Sequence, residues 1–233
     1  MSVFEFKQFD VINERSPMKV NTDGVLLGAA VTLREEDRTL LDAGTGTGVI
    51  ALMLSQRLGG EGERRILGID SDAAAAEEAA ENVRRSPWSG QLEAACRSLS
   101  EQEGIFDVIV SNPPYFDLSL LNPDPRRRIA RHGRELSFRT LVIFSAEHLA
   151  PHGRLSLILP ADQEAALLRH ARSYGLYPFR LLRIRTTDRK PPRRLVAELS
   201  RYRGECKEEA LTIQDGSAFT AEYRSLTGPF YKF

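Results

Sequence analysis

Short apolar runs alternate with helix-periodic segments along most of the chain. RTLLD (38–42) is followed by VIALMLSQRL, and RRILGID (64–70) by AAAAEEAAENVRR. Repetition of a buried run and an amphipathic stretch is the βαβ pattern, which predicts a parallel sheet with helices on both faces. IFDVIVS (105–111) and GRLSLILP (153–160) add two buried strands. Between them SFRTLVIFSAEHLA (137–150) reads as a helix with Ser137 suited to be its N-cap. ADQEAALLRHARSYG continues the alternation, with Gly175 as a helix C-cap. RLLRIRTT and RRLVAELSRY then read as two strands joined by DRKPP, an antiparallel hairpin at the sheet edge. The expectation is one α/β domain, with residues 1–37 as an N-terminal cap segment and 38–233 as the core.

Composition narrows the class without naming a task. At 233 residues, 42% hydrophobic and 27% charged, the chain has the make-up of a soluble globular domain. The opening MSVFEFKQFD carries Glu5, Lys7 and Asp10 where a signal peptide needs an unbroken apolar region. The apolar stretch GVLLGAAVTL is about half a membrane span, so no membrane association and a cytoplasmic location are expected. Cys96, Cys206 and the four histidines lack ligand spacing, so neither a disulfide nor a metal is expected. Net charge is zero, but it is unevenly spread. Residues 61–103 hold ten acids and five bases, RRRIARHGR (126–134) has five arginines, and residues 180–194 have seven bases against one acid. Such basic runs can follow a phosphate backbone, or simply form a solvated face.

The chemistry-bearing residues sit at strand ends. The first strand of the βαβ series runs into D-A-G-T-G-T-G (42–48) and directly into a helix. Gly44, Gly46 and Gly48 permit a tight turn and close backbone approach to a ligand, with helix N–H groups aimed at it. A nucleotide-type cofactor is implied, and Asp42 stands just before the loop. The spacing is G-x-G-x-G, not the G-x-G-x-x-G of dinucleotide binders. It resembles that of the S-adenosylmethionine (AdoMet) methyltransferases, in which the loop wraps the amino-acid end of the cofactor. Asp70 ends the next strand, 22 residues after Gly48, where a carboxylate can accept from both ribose hydroxyls. It could instead be a helix N-cap, a role that Ser71 and Asp72 can fill equally well. NAD-binding proteins place an acid similarly, so Asp70 alone does not choose the cofactor.

I-V-S-N-P-P-Y (109–115) does more. Two prolines stop the strand and leave Asn112 and Tyr115 at its rim. The Asn112 side-chain carbonyl and the Pro113 backbone carbonyl can both accept from one NH2 group, while Tyr115 offers a flat face for a base. A conjugated amino nitrogen is a poor nucleophile because its lone pair is delocalised, and two in-plane acceptors favour the geometry in which that pair can attack. A base held in a helical stack would first have to be flipped out.

With these motifs in order, the chain resembles the N-P-P-Y amino-methyltransferases, and more closely the bacterial tRNA1(Val) (adenine-37-N6)-methyltransferase family. F-E-F-K-Q-F, M-K-V-N-T-D-G-V-L-L-G-A (18–29), E-N-V-R-R-S-P-W (81–88) and the closing F-Y-K-F carry the likeness nearly end to end. The resemblance implies a Rossmann-like class I methyltransferase with a seven-stranded sheet, AdoMet as cofactor and tRNA as partner. A monomer is expected, with dimerisation left open by the sequence. It implies that Lys19, Thr22 and Asp23 close over AdoMet, that Asp42, Gly44, Thr45, Gly46, Gly48, Asp70 and Asn112 hold it, and that Asn112, Pro113, Pro114 and Tyr115 take the target adenine. Where many relatives carry an acid after the third strand, this chain has Ser98. RNA binding would also explain Arg126, Arg127, Arg128 and Arg131 beyond N-P-P-Y, and Arg189, Lys190, Arg193 and Arg194 on the hairpin.

Other readings share parts of this pattern. A glutamine side-chain amide also presents a planar NH2, but protein-directed relatives carry an N-terminal helical domain and only 41 residues precede Asp42. DNA adenine methyltransferases need a separate recognition region, and the 118 residues after Tyr115 are mostly used to complete the sheet. An NAD-dependent oxidoreductase would need a proton relay that no His or Tyr marks. A binding module that had lost catalysis has no reason to keep N-P-P-Y.

Overall fold

The computed structural model describes residues 2–59, 63–114 and 136–232. Tyr115, Arg126, Arg127, Arg128 and Arg131 lie outside the described residues. In chain order the elements are β1 (Val3–Glu5), β2 (Asp10–Ile12), α1 (Thr22–Ala30), β3 (Thr39–Ala43), α2 (Val49–Leu58), β4 (Arg65–Asp70), α3 (Ala73–Arg85), β5 (Leu92–Cys96) and β6 (Phe106–Ser111). There follow α4 (Phe138–His148), β7 (Leu149–Pro160), α5 (Glu164–Ser173), β8 (Tyr177–Arg185), β9 (Arg194–Ser200), β10 (Lys207–Thr212), the small pair β11 (Gln214–Asp215) and β12 (Ala218–Phe219), and α6 (Ala221–Thr227).

The main sheet runs β10-β8-β9-β7-β6-β3-β4-β5. β7, β6, β3, β4 and β5 are mutually parallel, β9 is antiparallel to both β7 and β8, and β10 lies parallel to β8. The doubly wound, mostly parallel architecture is the one expected. Among the described residues, however, the sheet has eight strands, not seven, and the β8–β9 hairpin is not at its edge. β10 takes the edge, with Lys207, Glu208 and Ala210 exposed and Leu211 buried. Charges on an edge strand discourage pairing with other chains, and they also hide its strand pattern.

Alternation along the strands builds two apolar layers. Leu40, Val108, Val110, Ile158 and Val196 face α1, α2, α3 and α6. Leu41, Ile109, Leu155, Leu157 and Leu195 face α4 and α5. α1 belongs wholly to the first layer: Gly24 to Ala30 are buried, and a Cβ on Gly28 would sit 2.8 Å from Met53 Sδ. The chain termini meet on the same side. Phe6 stacks on Phe9 (centroids 4.6 Å) and on Tyr231 (5.9 Å), and Phe9 meets the edge of Trp88 at 5.7 Å. Thus F-E-F-K-Q-F, E-N-V-R-R-S-P-W and F-Y-K-F, scattered in sequence, form one aromatic contact in space.

Candidate active site

Parallel strands β4, β3 and β6 end side by side, and their carboxyl ends carry Asp70, the glycine loop and Asn112. Register sets Asp42 beside Val110, and Ser111 Oγ donates to the Ala43 carbonyl at 2.6 Å, so Asn112 emerges next to Gly44. The Gly44 and Thr45 amides both donate to the Ile69 carbonyl, at 2.8 and 2.9 Å, and the Gly46 amide donates to Asp70 Oδ2 at 2.9 Å. The loop is therefore tied to β4 through its own backbone. Gly44 and Gly46 have φ of +73° and +57°, a region that L side chains rarely adopt, and a Cβ on Gly44 would lie 2.3 Å from Leu136 Cδ2.

These residues line a cleft of about 640 Å³. Gly44, Gly46, Asp70, Ser98, Asn112 and Pro114 all border it, together with Ser16–Met18 from the N-terminal segment and Thr140, Ile143, Phe144 and Glu147 from α4. Asn112 is buried, and its Nδ2 contacts Met18 Sδ at 3.7 Å. The helix-cap reading of Asp70 is settled by its neighbour: Asp72 caps α3, accepting from the Ala75 amide at 2.9 Å. Asp70 instead accepts from Gly46 and, at 3.0 Å, from the Asp72 amide, with lone pairs left over on both oxygens. Ser98 opens a short turn at the cleft, its hydroxyl donating to Glu101 at 2.7 Å and lying 3.1 Å from the Ser100 hydroxyl.

Asp42 lies behind this surface, fully buried. Thr45 Oγ1 and the Ala51 amide donate to its Oδ2, at 2.7 and 3.2 Å, while Oδ1 has no partner among the described residues. Burial pushes its carboxyl up to about 7, opposed by the Thr45 and Ala51 hydrogen bonds and reinforced by the nearby Asp70 charge.

Three expected residues stand elsewhere. Lys19 is exposed and donates to the Glu14 carbonyl at 2.5 Å. Thr22 and Asp23, in the first turn of α1, line a different cleft, where Asp23 pairs with Arg194 at 2.7 Å. Thr45 and Gly48 are buried beneath the loop, Gly48 against Ala79 of α3. On the hairpin, Arg189, Lys190 and Arg193 are exposed.

One feature of the site escaped the sequence reading. Glu78, fully buried on α3, accepts from the Glu14, Arg15 and Ser16 amides at 2.7, 2.6 and 3.0 Å. One turn on, Asn82 accepts from the Ile12 amide at 2.7 Å and donates to the Ile12 and Thr47 carbonyls at 3.0 and 2.9 Å. Together they clamp the N-terminal segment onto the glycine loop and so place Ser16–Met18 over the cleft. The available signal was that Glu78 and Asn82 share a helix face with the small residues Ala75 and Ala79.

Comparisons with known proteins agree with this geometry. Residues 25–170 match the family described as "Methyltransferase small domain". Proteins named "tRNA1(Val) (adenine(37)-N6)-methyltransferase" are similar nearly end to end. The one from Bacteroides fragilis is 40% identical over 98% of this chain and 97% of its own. Those from Phocaeicola vulgatus and Photobacterium profundum are 42% and 38% identical with the same coverage. Among solved structures, an Agrobacterium tumefaciens protein described as a "predicted O-methyltransferase" superposes with TM-score 0.69 at 16% identity, covering 89% of this chain and 96% of its own. A methyltransferase from Pyrococcus furiosus gives 0.57 at 19% identity, over 82% and 89%. These two likenesses concern the fold.

Proposed function

The chain belongs to the tRNA1(Val) (adenine(37)-N6)-methyltransferase family, and from that premise we propose that it methylates the exocyclic N6 nitrogen of adenine 37 in tRNA1(Val), using AdoMet. The observation that carries the reading is the adjacency of Asn112 and the glycine loop on one cleft, with Ser111 bonded across to Ala43.

The residues present fit AdoMet. A loop of positive-φ glycines, Gly44 and Gly46, that brings bare backbone to the cleft, a carboxylate at the end of β4 with spare lone pairs and the buried Asp42 Oδ1, unpartnered among the described residues, are what a cationic amino-acid end and a ribose require. Gly44, Thr45, Gly46 and Gly48 would shape the loop around it, Asp70 would take its ribose and Ser98 its adenine, and Asp42 would face its positive charge from below. When bound, it supplies an electrophilic methyl group on a sulfonium. Asn112 and the Pro113 carbonyl accept from the target NH2 and fix its nitrogen, and the buried position of Asn112 excludes water that would compete for these bonds. Tyr115 stacks on the flipped base, and Arg126, Arg127, Arg128 and Arg131 with the hairpin bases Arg189, Lys190, Arg193 and Arg194 follow the RNA backbone. The reaction takes place in the cytoplasm, where tRNA is.

Replacing Asn112 with Ala tests the assignment. The expected result is AdoMet affinity within about threefold of wild type and transfer slowed on the order of 100-fold or more, the scale of losing one well-placed polar group. A variant that still turns over at the wild-type rate removes Asn112 from the mechanism.

A further inference from the structure

A second cleft, of about 830 Å³, opens on the same carboxyl-end rim of the sheet as the first. It lies at the ends of β8 and β10 and the start of β9, roofed by the β11–β12 pair and α6. Its walls are aromatic. Phe219 is 40% exposed and stacks on Tyr223 at 4.9 Å, and Tyr231, hydrogen-bonded to Tyr223, lines the cleft beside them. Its mouth is basic. Arg185, Arg193, Arg194 and Lys232 line it with one acid, Asp23, and Lys232 is paired with Glu5 at 2.9 Å. Asp23 holds Arg194 across the opening, and the exposed Arg193 guanidinium makes no ion pair among the described residues.

The position of this cleft relative to the active site follows from strand register. Ser111 of β6 is level with Leu157 of β7, Leu157 with Ala197 of β9, and Arg194 lies three residues further toward the rim. With strands about 4.8 Å apart and about 3.3 Å per residue along them, Arg194 stands roughly 12 Å from Asn112. A few nucleotides of single-stranded RNA cover that span.

We propose that this cleft is a second nucleotide subsite: it takes an unpaired nucleotide neighbouring the target adenine, with the base on Phe219 and Tyr231 and the phosphate on Arg193 and Arg194. Aromatic surface under cationic side chains is the combination that binds a base and its phosphate together, and every base has a face that can stack. The pairing of Asp23 with Arg194 then has a use: it keeps the guanidinium over the mouth until a phosphate engages it. The inference rests on RNA being the substrate. It goes further by assigning Asp23, Phe219 and Tyr231 to a site separate from both the cofactor loop and N-P-P-Y.

The test is binding of an unmodified tRNA1(Val) transcript, followed by fluorescence anisotropy at several salt concentrations, alongside AdoMet titration and turnover. Phe219→Ala and Phe219→Leu should each weaken transcript binding about tenfold, and Phe219→Tyr should restore it. AdoMet affinity and the rate at saturating transcript should stay within about twofold. Arg193→Ala should lower the salt slope of transcript binding by about one. If Phe219→Leu binds like wild type, the ring serves packing only and the subsite is overturned, although wild-type methylation of the transcript would still uphold the parent reading. If the wild-type protein binds AdoMet but neither binds nor methylates any tRNA, the parent reading fails and takes this one with it.

Discussion

Replacing Glu78 with Gln should weaken AdoMet binding although Glu78 stands behind the segment that borders the cleft. The carboxylate accepts three backbone N–H groups from Glu14, Arg15 and Ser16. Hydrogen bonds to a buried charged acceptor contribute about 1.5 to 3 kcal/mol each, neutral ones about 0.5 to 1.5. Glutamine keeps one acceptor oxygen, sheds the charge and turns an NH2 toward at least one of the donors. If the segment stayed in place, the loss would be about 3 to 5 kcal/mol. Glu14, Arg15, Pro17 and Met18 are exposed, however, so the segment can swing out to water, and the variant pays instead in local opening. An opening favoured by about 2 kcal/mol leaves roughly one molecule in 30 with Ser16–Met18 in place, and the apparent Kd for AdoMet rises about 30-fold. Calorimetric titration reads the affinity, and hydrogen exchange at the Glu14, Arg15 and Ser16 amides reads the segment. Glu77→Gln, on the exposed side of α3 with a long 3.7 Å contact to Arg15, is the control and should change neither. Lost protection with unchanged affinity would show that the segment does not shape the cleft. Retained protection would show that the carboxylate does not hold the segment.

Asp42 should make stability fall with pH. Its folded-state value of about 7 lies above the ordinary 3.8, so between these values the native protein keeps a proton that the unfolded chain has released. Stability from this group is full below about pH 4 and is lost as pH rises toward 7, by up to about 4 kcal/mol. Asp42→Asn keeps an acceptor for Thr45 and should be flatter than wild type over that window in denaturant titrations. The same slope in both proteins would contradict the assignment. AdoMet binding should release protons near pH 6, seen as buffer-dependent heats, because a cationic ligand favours the ionised carboxylate. Gly44→Ala must adopt positive φ and displace Leu136, so AdoMet affinity should fall at least tenfold, and wild-type affinity would refute the close approach. Asn82→Ala removes three buried hydrogen bonds and should lower unfolding free energy by about 2 to 4 kcal/mol, whereas a loss within experimental error would mean that the β2 clamp is not formed in solution.

What was legible in the sequence depended on how local its cause is. RTLLD, RRILGID and IFDVIVS read as strands because both sheet faces are covered, and each proved to be β3, β4 and β6 within a residue or so. Ser137 was recognisable as a cap because capping is a short-range bond, here from the Thr140 amide. Lys207–Thr212 was not recognisable as a strand: its edge position lets it carry Lys207, Glu208 and Glu209, so neither burial nor alternation marks it. β5 is short, with only Leu92 buried, and gave as little signal. In the site, the glycine loop, Asp70 and Asn112 converge because the βαβ rule alone brings strand ends together. Glu78 holding amides more than 60 residues away, and Asp23 meeting Arg194 across 171 residues, are tertiary facts with no local mark.

The most direct test of the central claim is to incubate the purified protein with unmodified total bacterial tRNA and labelled AdoMet, then digest the RNA and identify the labelled nucleoside and its position by mass spectrometry. The account predicts N6-methyladenosine confined to position 37 of tRNA1(Val). Label at another tRNA position, or transfer only to protein or DNA in parallel reactions, would contradict it.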